Sequence, residues 1–159
     1  MKNIKIPLDS KPKVVVVTLN YNQNKYTLDC VNSLLKSNYP NFEIVLVDNG
    51  SSTEHFKALK ANFPVDNRLK LYRLTANIGY VGGINFGMLE ADKLNADYQL
   101  IMNNDTLIDI EAIKELVITS EKYKGKAIVS GKVYNYDEKD TLQYIGQDFD
   151  QENMLNHKS

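Results

Sequence analysis

The sequence has little cysteine, little net charge and no long hydrophobic run, and each absence excludes a class of protein. Among 159 residues there is one cysteine, Cys30, so an internal disulfide is impossible and a reducing compartment is favoured. Its place on a predicted helix beside Val31 indicates a buried structural thiol. The formal net charge of −1 gives no basic surface for nucleic acid, so no nucleic-acid partner is expected.

The chain also lacks the segments that direct a protein into or across a membrane. No apolar stretch approaches the roughly 20 residues that cross a bilayer. The N-terminus has no signal-peptide pattern, and residues 1–13 are expected to form a loose leader. These absences predict a cytoplasmic protein, with peripheral association at the inner face of the membrane left open.

What the sequence does contain is a regular alternation of strand-like and helix-like segments. Strands are predicted at residues 14–18, 42–47, 69–74, 98–102 and 127–130. Helices are predicted at residues 25–36, 51–59, 81–94 and 110–123. A capping-box spacing of Ser51 and Glu54 marks the start of the second helix. Such alternation implies βαβ crossovers, so the predicted fold class is α/β, with a Rossmann-like, mostly parallel sheet flanked by helices.

The most informative motif is Asn103-Asn104-Asp105, directly after the predicted strand at residues 98–102. The carboxyl ends of strands are where open α/β sheets bind ligands. A carboxylate flanked by amide oxygens supplies the hard ligands that Mg²⁺ or Mn²⁺ prefers, and such a cation can neutralise a diphosphate leaving group. The alternative is that Asp105 only caps the helix near Ile110.

Three further segments could complete one nucleotide-sugar pocket. Leu19-Asn20-Tyr21 follows the first strand, where an aromatic ring could stack on a base. Asp48-Asn49-Gly50-Ser51 follows the second strand and could bind a pyrimidine ring N–H. Residues 77–87 are glycine-rich before a helix, as in a phosphate cradle, but do not follow the first strand as the dinucleotide fingerprint would. Each segment also has a structural interpretation, namely a polar cap, a turn, or close helix–sheet packing by Gly82-Gly83.

Taken in order, these segments resemble the donor-binding half of the family 2 glycosyltransferases, which have the GT-A fold. The matching stretches are residues 14–22, 42–52, 77–87 and 100–106. The form of residues 77–87, together with Asn103-Asn104-Asp105-Thr106, looks most like the rhamnosyltransferase-type branch. That resemblance implies a donor sugar linked to dTDP or UDP.

The resemblance also implies a role for each matching position. The first strand exit would line the base pocket, the second would contact the pyrimidine or ribose, and the glycine-rich segment would lie along the nucleotide-sugar. The implied nucleotide-sugar contacts are Leu19, Asn20, Tyr21, Asp48, Asn49, Asn77, Gly83, Asn85, Asn104 and Asp105. Asp105 and Asn103 would hold a divalent cation, Mg²⁺ or Mn²⁺. Asn103 stands where the family has Asp, and its neutral amide oxygen is a weaker ligand.

The implied activity is inverting transfer of a sugar to a glycan or lipid-linked acceptor. Residues 14–133 would bind the nucleotide-sugar, and residues 134–159 would begin an acceptor-side region. No segment after Asp105 presents the family's catalytic carboxylate motif, so the general base is expected beyond Ser159, in a chain that is truncated. A non-catalytic nucleotide-sugar-binding module is the main alternative. A nucleotidyltransferase is disfavoured, because residues 19–25 lack a glycine-rich, basic triphosphate loop.

Overall fold

The computed structural model describes residues 11–138 and 140–144 of the chain. The chain divides into two compact units, one ending at Ile118 and the other beginning at Thr119. In chain order the elements are β1 (Val14–Asn20), α1 (Asn24–Leu35), β2 (Phe42–Asp48), α2 (Thr53–Ala61), β3 (Leu69–Arg73), α3 (Gly79–Lys93), β4 (Tyr98–Ile101), α4 (Ala112–Lys122), β5 (Val133–Tyr134) and β6 (Leu142–Tyr144). None of the helices in the described residues is long and apolar enough to cross a membrane.

The first unit is built on a four-stranded sheet in the order β3-β2-β1-β4. All three strand pairs are parallel, which confirms the predicted sheet. β1 and β2 are in register from Val14 opposite Phe42 to Asn20 opposite Asp48. The polar residues that end these two strands therefore lie side by side at the carboxyl ends of the strands.

Both faces of the sheet are covered by helices. The valines of β1 alternate between two apolar clusters, because successive side chains of a strand point to opposite faces. On one face Val14 and Val16 pack with residues of α1 and α4, among them Leu34 and Ile113. On the other face Val15 and Val17 pack with Ile84 and Ala91 of α3. This burial on both faces explains why β1 reads as a continuous β-branched run.

Two predictions about local structure are wrong. Residues 127–130 form no strand, and the short antiparallel pair of β5 and β6 lies further along the chain. The side chain of Ile128 is fully exposed, and a short β-branched run without a pairing strand has no ladder to join.

The second error concerns the start of α2, which is capped by Ser52 rather than Ser51. Ser52 Oγ accepts a hydrogen bond from the backbone of His55. Ser51 is buried instead, and its Oγ accepts from Asn22 N and Asn20 Nδ2. A serine hydroxyl committed to buried donors is not available to the helix, so α2 begins one position later.

Candidate functional site

A pocket of about 360 Å³ opens at the carboxyl ends of β1, β2 and β4, beside the start of α3. This is the edge at which parallel α/β sheets bind ligands. Its lining consists of Leu19, Tyr21, Gln23, Asn49, Asn77, Gly79, Tyr80, Asn103, Asn104 and Asp105. Residues from all four segments singled out in the sequence therefore meet in one cavity.

Four of the predicted contact residues do not line this pocket. Asn20 and Asp48 are fully buried. Gly83 is also buried, and a Cβ added to it would lie 2.9 Å from Leu19 Cδ1, so its lack of a side chain allows close packing of α3. Asn85 is exposed on α3. A contact between any of these four residues and a nucleotide stays a prediction.

Three lining residues were not named from the sequence: Gln23, Gly79 and Tyr80. Gly79 and Tyr80 were missed because α3 begins at Gly79, two residues before the predicted start. Tyr80 donates from its hydroxyl to Asn103 Oδ1 at 3.2 Å, across the pocket. The signal was present in the sequence, because both residues belong to the glycine-rich segment and Gln23 follows the β1 exit loop.

The start of α3, at Gly79 and Tyr80, lines the pocket, its first turn carries no acidic residue, and its N-cap residue Ile78 makes no side-chain capping bond. The first N–H groups of a helix have no partner within the helix, and the helix dipole favours negative charge there. Gly79 N is bonded to Asn77 Oδ1, and the following amides have no side-chain cap. The arrangement suits an anion such as a phosphate.

Asn49 fixes the loop in front of α3. Its Nδ2 donates to Asn77 Oδ1 and to Gly79 O, both at 3.1 Å, and its Oδ1 accepts from Ile78 N at 3.2 Å. These three bonds attach the loop to the end of β2. Asn49 thus lines the pocket and also positions the residues opposite it.

Asp105 is not a helix cap. α4 begins at Ala112, and the turn before it is closed by Asp109, whose Oδ1 accepts from Glu111 N. Asp105 is exposed in the pocket lining beside the amide side chains of Asn103 and Asn104. The capping alternative is therefore wrong, and the carboxylate is available to a ligand.

The donor set around Asp105 fits a hard divalent cation that shares its coordination with a substrate. Within residues 11–138 and 140–144 no group of three or more His, Cys, Asp or Glu side chains could hold a metal ion by itself. Mg²⁺ usually takes one or two carboxylates together with substrate phosphates and water, so such a cage is not required. Asp105 supplies one carboxylate to the lining, and the amide oxygens of Asn103 and Asn104 in the same lining could complete such a site.

The thiol of Cys30 lies behind the Asp105 loop. It is fully buried and donates to Asn103 O at 3.8 Å, which confirms the prediction of a structural thiol. Burial, and secondarily the charge of Asp105, raises the pKa of Cys30 to about 12.

Cys30 should consequently resist thiol reagents in the folded protein. At about pH 8 we expect labelling by an aromatic disulfide reagent to be slower than in the urea-unfolded chain by about tenfold or more, because the thiolate is the nucleophile. The release of the coloured thiol measures both rates. Equal rates would show that the thiol is accessible and ionised in the folded protein.

Comparison with known proteins decides the family. The sequence profile described as Glycosyl transferase family 2 matches residues 14–159. The chain belongs to glycosyltransferase family 2. This family 2 chain is also 33% identical over 139 residues to Glycosyltransferase GlyG of Streptococcus pneumoniae serotype 4, a match that covers 86% of the chain and 45% of GlyG. It therefore spans less than half the length of that relative.

Solved structures share the fold, which confirms the predicted GT-A architecture. S. aureus TarS 1–349 superposes with a TM-score of 0.59 at 26% identity, over 69% of this chain and 32% of TarS 1–349. The same protein in complex with UDP-GlcNAc gives a TM-score of 0.59 at 21% identity, over 79% and 41% of the two chains. The mannosyltransferase PcManGT from Pyrobaculum calidifontis, in complex with GDP-Man and Mn²⁺, gives 0.55 at 21% identity, over 72% and 35%.

Proposed function

We propose that this family 2 chain binds a nucleotide-sugar and forms the donor half of a glycosyltransferase. The observation that carries the proposal is the meeting, in one pocket at the carboxyl ends of the strands, of an aromatic ring, a helix start without an acidic residue and a carboxylate. These three groups match the three parts of the ligand, namely a base, a diphosphate and the cation that accompanies it.

The proposed donor is a sugar linked to UDP or dTDP. Tyr21 is 48% exposed at the end of β1, so its ring is free to stack on a pyrimidine. The start of α3, at Gly79 and Tyr80, would face the diphosphate. UDP is tested first, because TarS, which shares the fold, has been solved in complex with UDP-GlcNAc.

The proposed cofactor is Mg²⁺ or Mn²⁺, held by Asp105 with Asn103. When bound, such a cation stabilises the negative charge that develops on the departing diphosphate. The Tyr80 hydroxyl donates a hydrogen bond to Asn103 Oδ1 and so connects the proposed cation site to the start of α3. This bond would help to position Asn103 for the cation. The Mn²⁺ in the PcManGT complex supports this assignment.

The proposed reaction is transfer with inversion to a hydroxyl of a glycan or lipid-linked acceptor, the latter at the inner face of the membrane. In-line attack on the anomeric carbon would require a general base. Asp105 is the one carboxylate among the described lining residues, and it is assigned to the cation. Residues 14–133 would serve the donor, and the region from residue 134 would begin the acceptor side.

One observation favours a second candidate, a nucleotide-sugar-binding module without catalysis. Asp105 is the one carboxylate among the pocket-lining residues, and the cation would use it. No other lining side chain is suited to take a proton from an acceptor hydroxyl.

Calorimetric titration tests the donor site. We expect UDP or dTDP to bind the folded chain, and to bind more tightly with Mn²⁺ than without it, whereas GDP should bind more weakly than either. Folded protein that binds neither pyrimidine nucleotide would refute the proposal. A parallel assay of UDP release from UDP-GlcNAc, with a glycan acceptor present, separates the candidates, since turnover supports the transferase and binding without turnover supports the module.

A further inference from the structure

A continuous line of hydrogen bonds, two of them buried and the third part-buried, connects the end of β2 to the loop that carries Asp105. Asn104 Nδ2 donates to Thr27 Oγ1, Thr27 Oγ1 donates to Asn20 Oδ1, and each distance is 2.8 Å. Asn20 Nδ2 in turn donates to Asp48 Oδ1, also at 2.8 Å. Asp48, Asn20 and Thr27 are all fully buried. The line therefore passes from β2 through β1 and α1 to the pocket.

The chemistry of Asp48 sets the direction of every bond in this line. A carboxylate only accepts, so the amide of Asn20 must present its nitrogen to Asp48 and its oxygen to Thr27. The other carboxylate oxygen, Oδ2, accepts from Ser51 N at 3.3 Å and lies 3.7 Å from Arg73 Nε. The carboxylate is thereby anchored on both oxygens.

Thr27 passes this direction on to Asn104. A hydroxyl has one hydrogen, and because Asn20 presents its amide oxygen to Thr27, the hydroxyl donates to Asn20 Oδ1, at 2.8 Å the nearer of its two acceptors; the other is Gln23 O at 3.1 Å. Only lone pairs then remain toward Asn104, so the amide nitrogen of Asn104 must face Thr27. The amide oxygen of Asn104 is then the atom left for a ligand in the pocket.

The same face of α1 holds the loop at two further points. Cys30 Sγ donates to Asn103 O at 3.8 Å, and Ser33 Oγ accepts from Ile108 N at 3.2 Å. Thr27, Cys30 and Ser33 are three residues apart in sequence, a spacing that places them on one side of a helix. α1 thus fixes the loop on both sides of Asp105 as well as at Asn104.

We propose that Thr27 is a positioning residue for the cation site: by accepting from Asn104 and donating to Asn20, it holds the loop that carries Asn103 and Asp105 in place for a divalent cation and turns the Asn104 oxygen toward the pocket. This inference rests on the proposed nucleotide-sugar function. It assigns Thr27 no contact with the ligand. Partners that orient metal ligands from behind change metal affinity by about 10- to 100-fold when they are removed.

The test compares Thr27→Val, which removes the hydroxyl at nearly constant shape, with Thr27→Ser, which keeps it. The readout is the factor by which Mn²⁺ tightens UDP binding in calorimetric titration. We expect Thr27→Val to lower this factor by about tenfold while UDP affinity without Mn²⁺ is retained, and Thr27→Ser to restore it. Thr18→Val is the matched control, because Thr18 is equally buried and its Oγ1 has no hydrogen-bond partner among the described residues.

The outcomes separate this inference from the function on which it rests. A folded wild-type chain that does not bind UDP overturns both. A wild-type chain that binds UDP but gains nothing from Mn²⁺ overturns the cation site and the role of Thr27, and leaves nucleotide binding intact. If Mn²⁺ tightens UDP binding by the same factor in the wild type, Thr27→Val and Thr27→Ser, only the role of Thr27 is overturned. If Thr27→Val does not fold by circular dichroism, Thr27→Ala replaces it, and the side-chain amide resonances of Asn104 are followed by NMR. Those resonances should shift in Thr27→Ala and not in Thr27→Ser, and unchanged resonances in both would overturn the inference.

Discussion

Substitution of Asp105 by asparagine is expected to lower the affinity for UDP in the presence of Mn²⁺ by about 100-fold, the upper end of what loss of an indirect metal partner costs. Asp105 is the one carboxylate among the pocket-lining residues, so the amide would leave the cation without a charged protein ligand. Calorimetric titration of UDP with and without Mn²⁺ measures the effect. UDP binding without the cation should change little, because Asp105 takes no part in the proposed contacts of the nucleobase with Tyr21 or of the diphosphate with the start of α3.

Asp109→Asn is the control for this substitution. It removes the same charge from the same loop, and an asparagine oxygen can still accept the bond that Glu111 N donates to Asp109. Asp109 does not line the pocket, so its variant should bind UDP and Mn²⁺ like the wild type. If Asp105→Asn behaves like Asp109→Asn, the assignment of the cation site to this loop is wrong.

Gly50→Ala is expected to reduce the free energy of unfolding by about 2 to 5 kcal/mol, the sum of left-handed strain and overpacking. Gly50 has a φ of +75°, and a Cβ placed on it would lie 2.3 Å from Ala76 C and 2.4 Å from Asn77 N. These are backbone atoms, which cannot rotate away as a flexible side chain can. Urea denaturation measures the loss of stability.

Gly79→Ala provides a matched control for the clash. Its φ of +79° is close to that of Gly50, but no atom of residues 11–138 or 140–144 lies within 4 Å of the added Cβ. It should therefore lose only the strain, about 1 to 2 kcal/mol. Equal losses in the two variants would mean that the contact between Gly50 and the segment at Ala76 and Asn77 does not limit the backbone.

The parallel sheet and the place of the pocket could be predicted because they depend on local patterns. A continuous β-branched run such as residues 14–17 indicates a strand buried on both faces. Polar residues directly after such strands meet at one edge of a parallel sheet, whatever the details of packing. It could therefore be predicted from the sequence that Tyr21, Asn49 and Asp105 lie in the same pocket, as they do.

The role of a polar residue at a strand end could not be predicted in the same way. In the sequence, Asn20 and Asp48 are as good candidates for ligand contacts as Tyr21 and Asn49. Whether a side chain faces the ligand or the interior depends on register, and here Asn20 lies directly opposite Asp48. The Asn20 side chain donates a hydrogen bond to the Asp48 carboxylate, and both residues are buried. The order of residues along the chain does not show this pairing.

The start of α3 was misjudged for a different reason. The pattern predicts a helix at residues 81–94, whereas α3 begins at Gly79. In the fold, the loop before α3 is held by three bonds from Asn49. Tertiary contacts of this kind decide where a helix begins, and they are not encoded within the helix itself.

Every pocket-lining residue, from Leu19 to Asp105, lies within the compact unit that ends at Ile118. If the proposed donor site is correct, one compact unit supplies all of these contacts with the nucleotide-sugar. Sequence after this unit could then differ between relatives, and with it the choice of acceptor, without a change in the donor contacts. Such separation would let one ancestral donor site serve many different glycans.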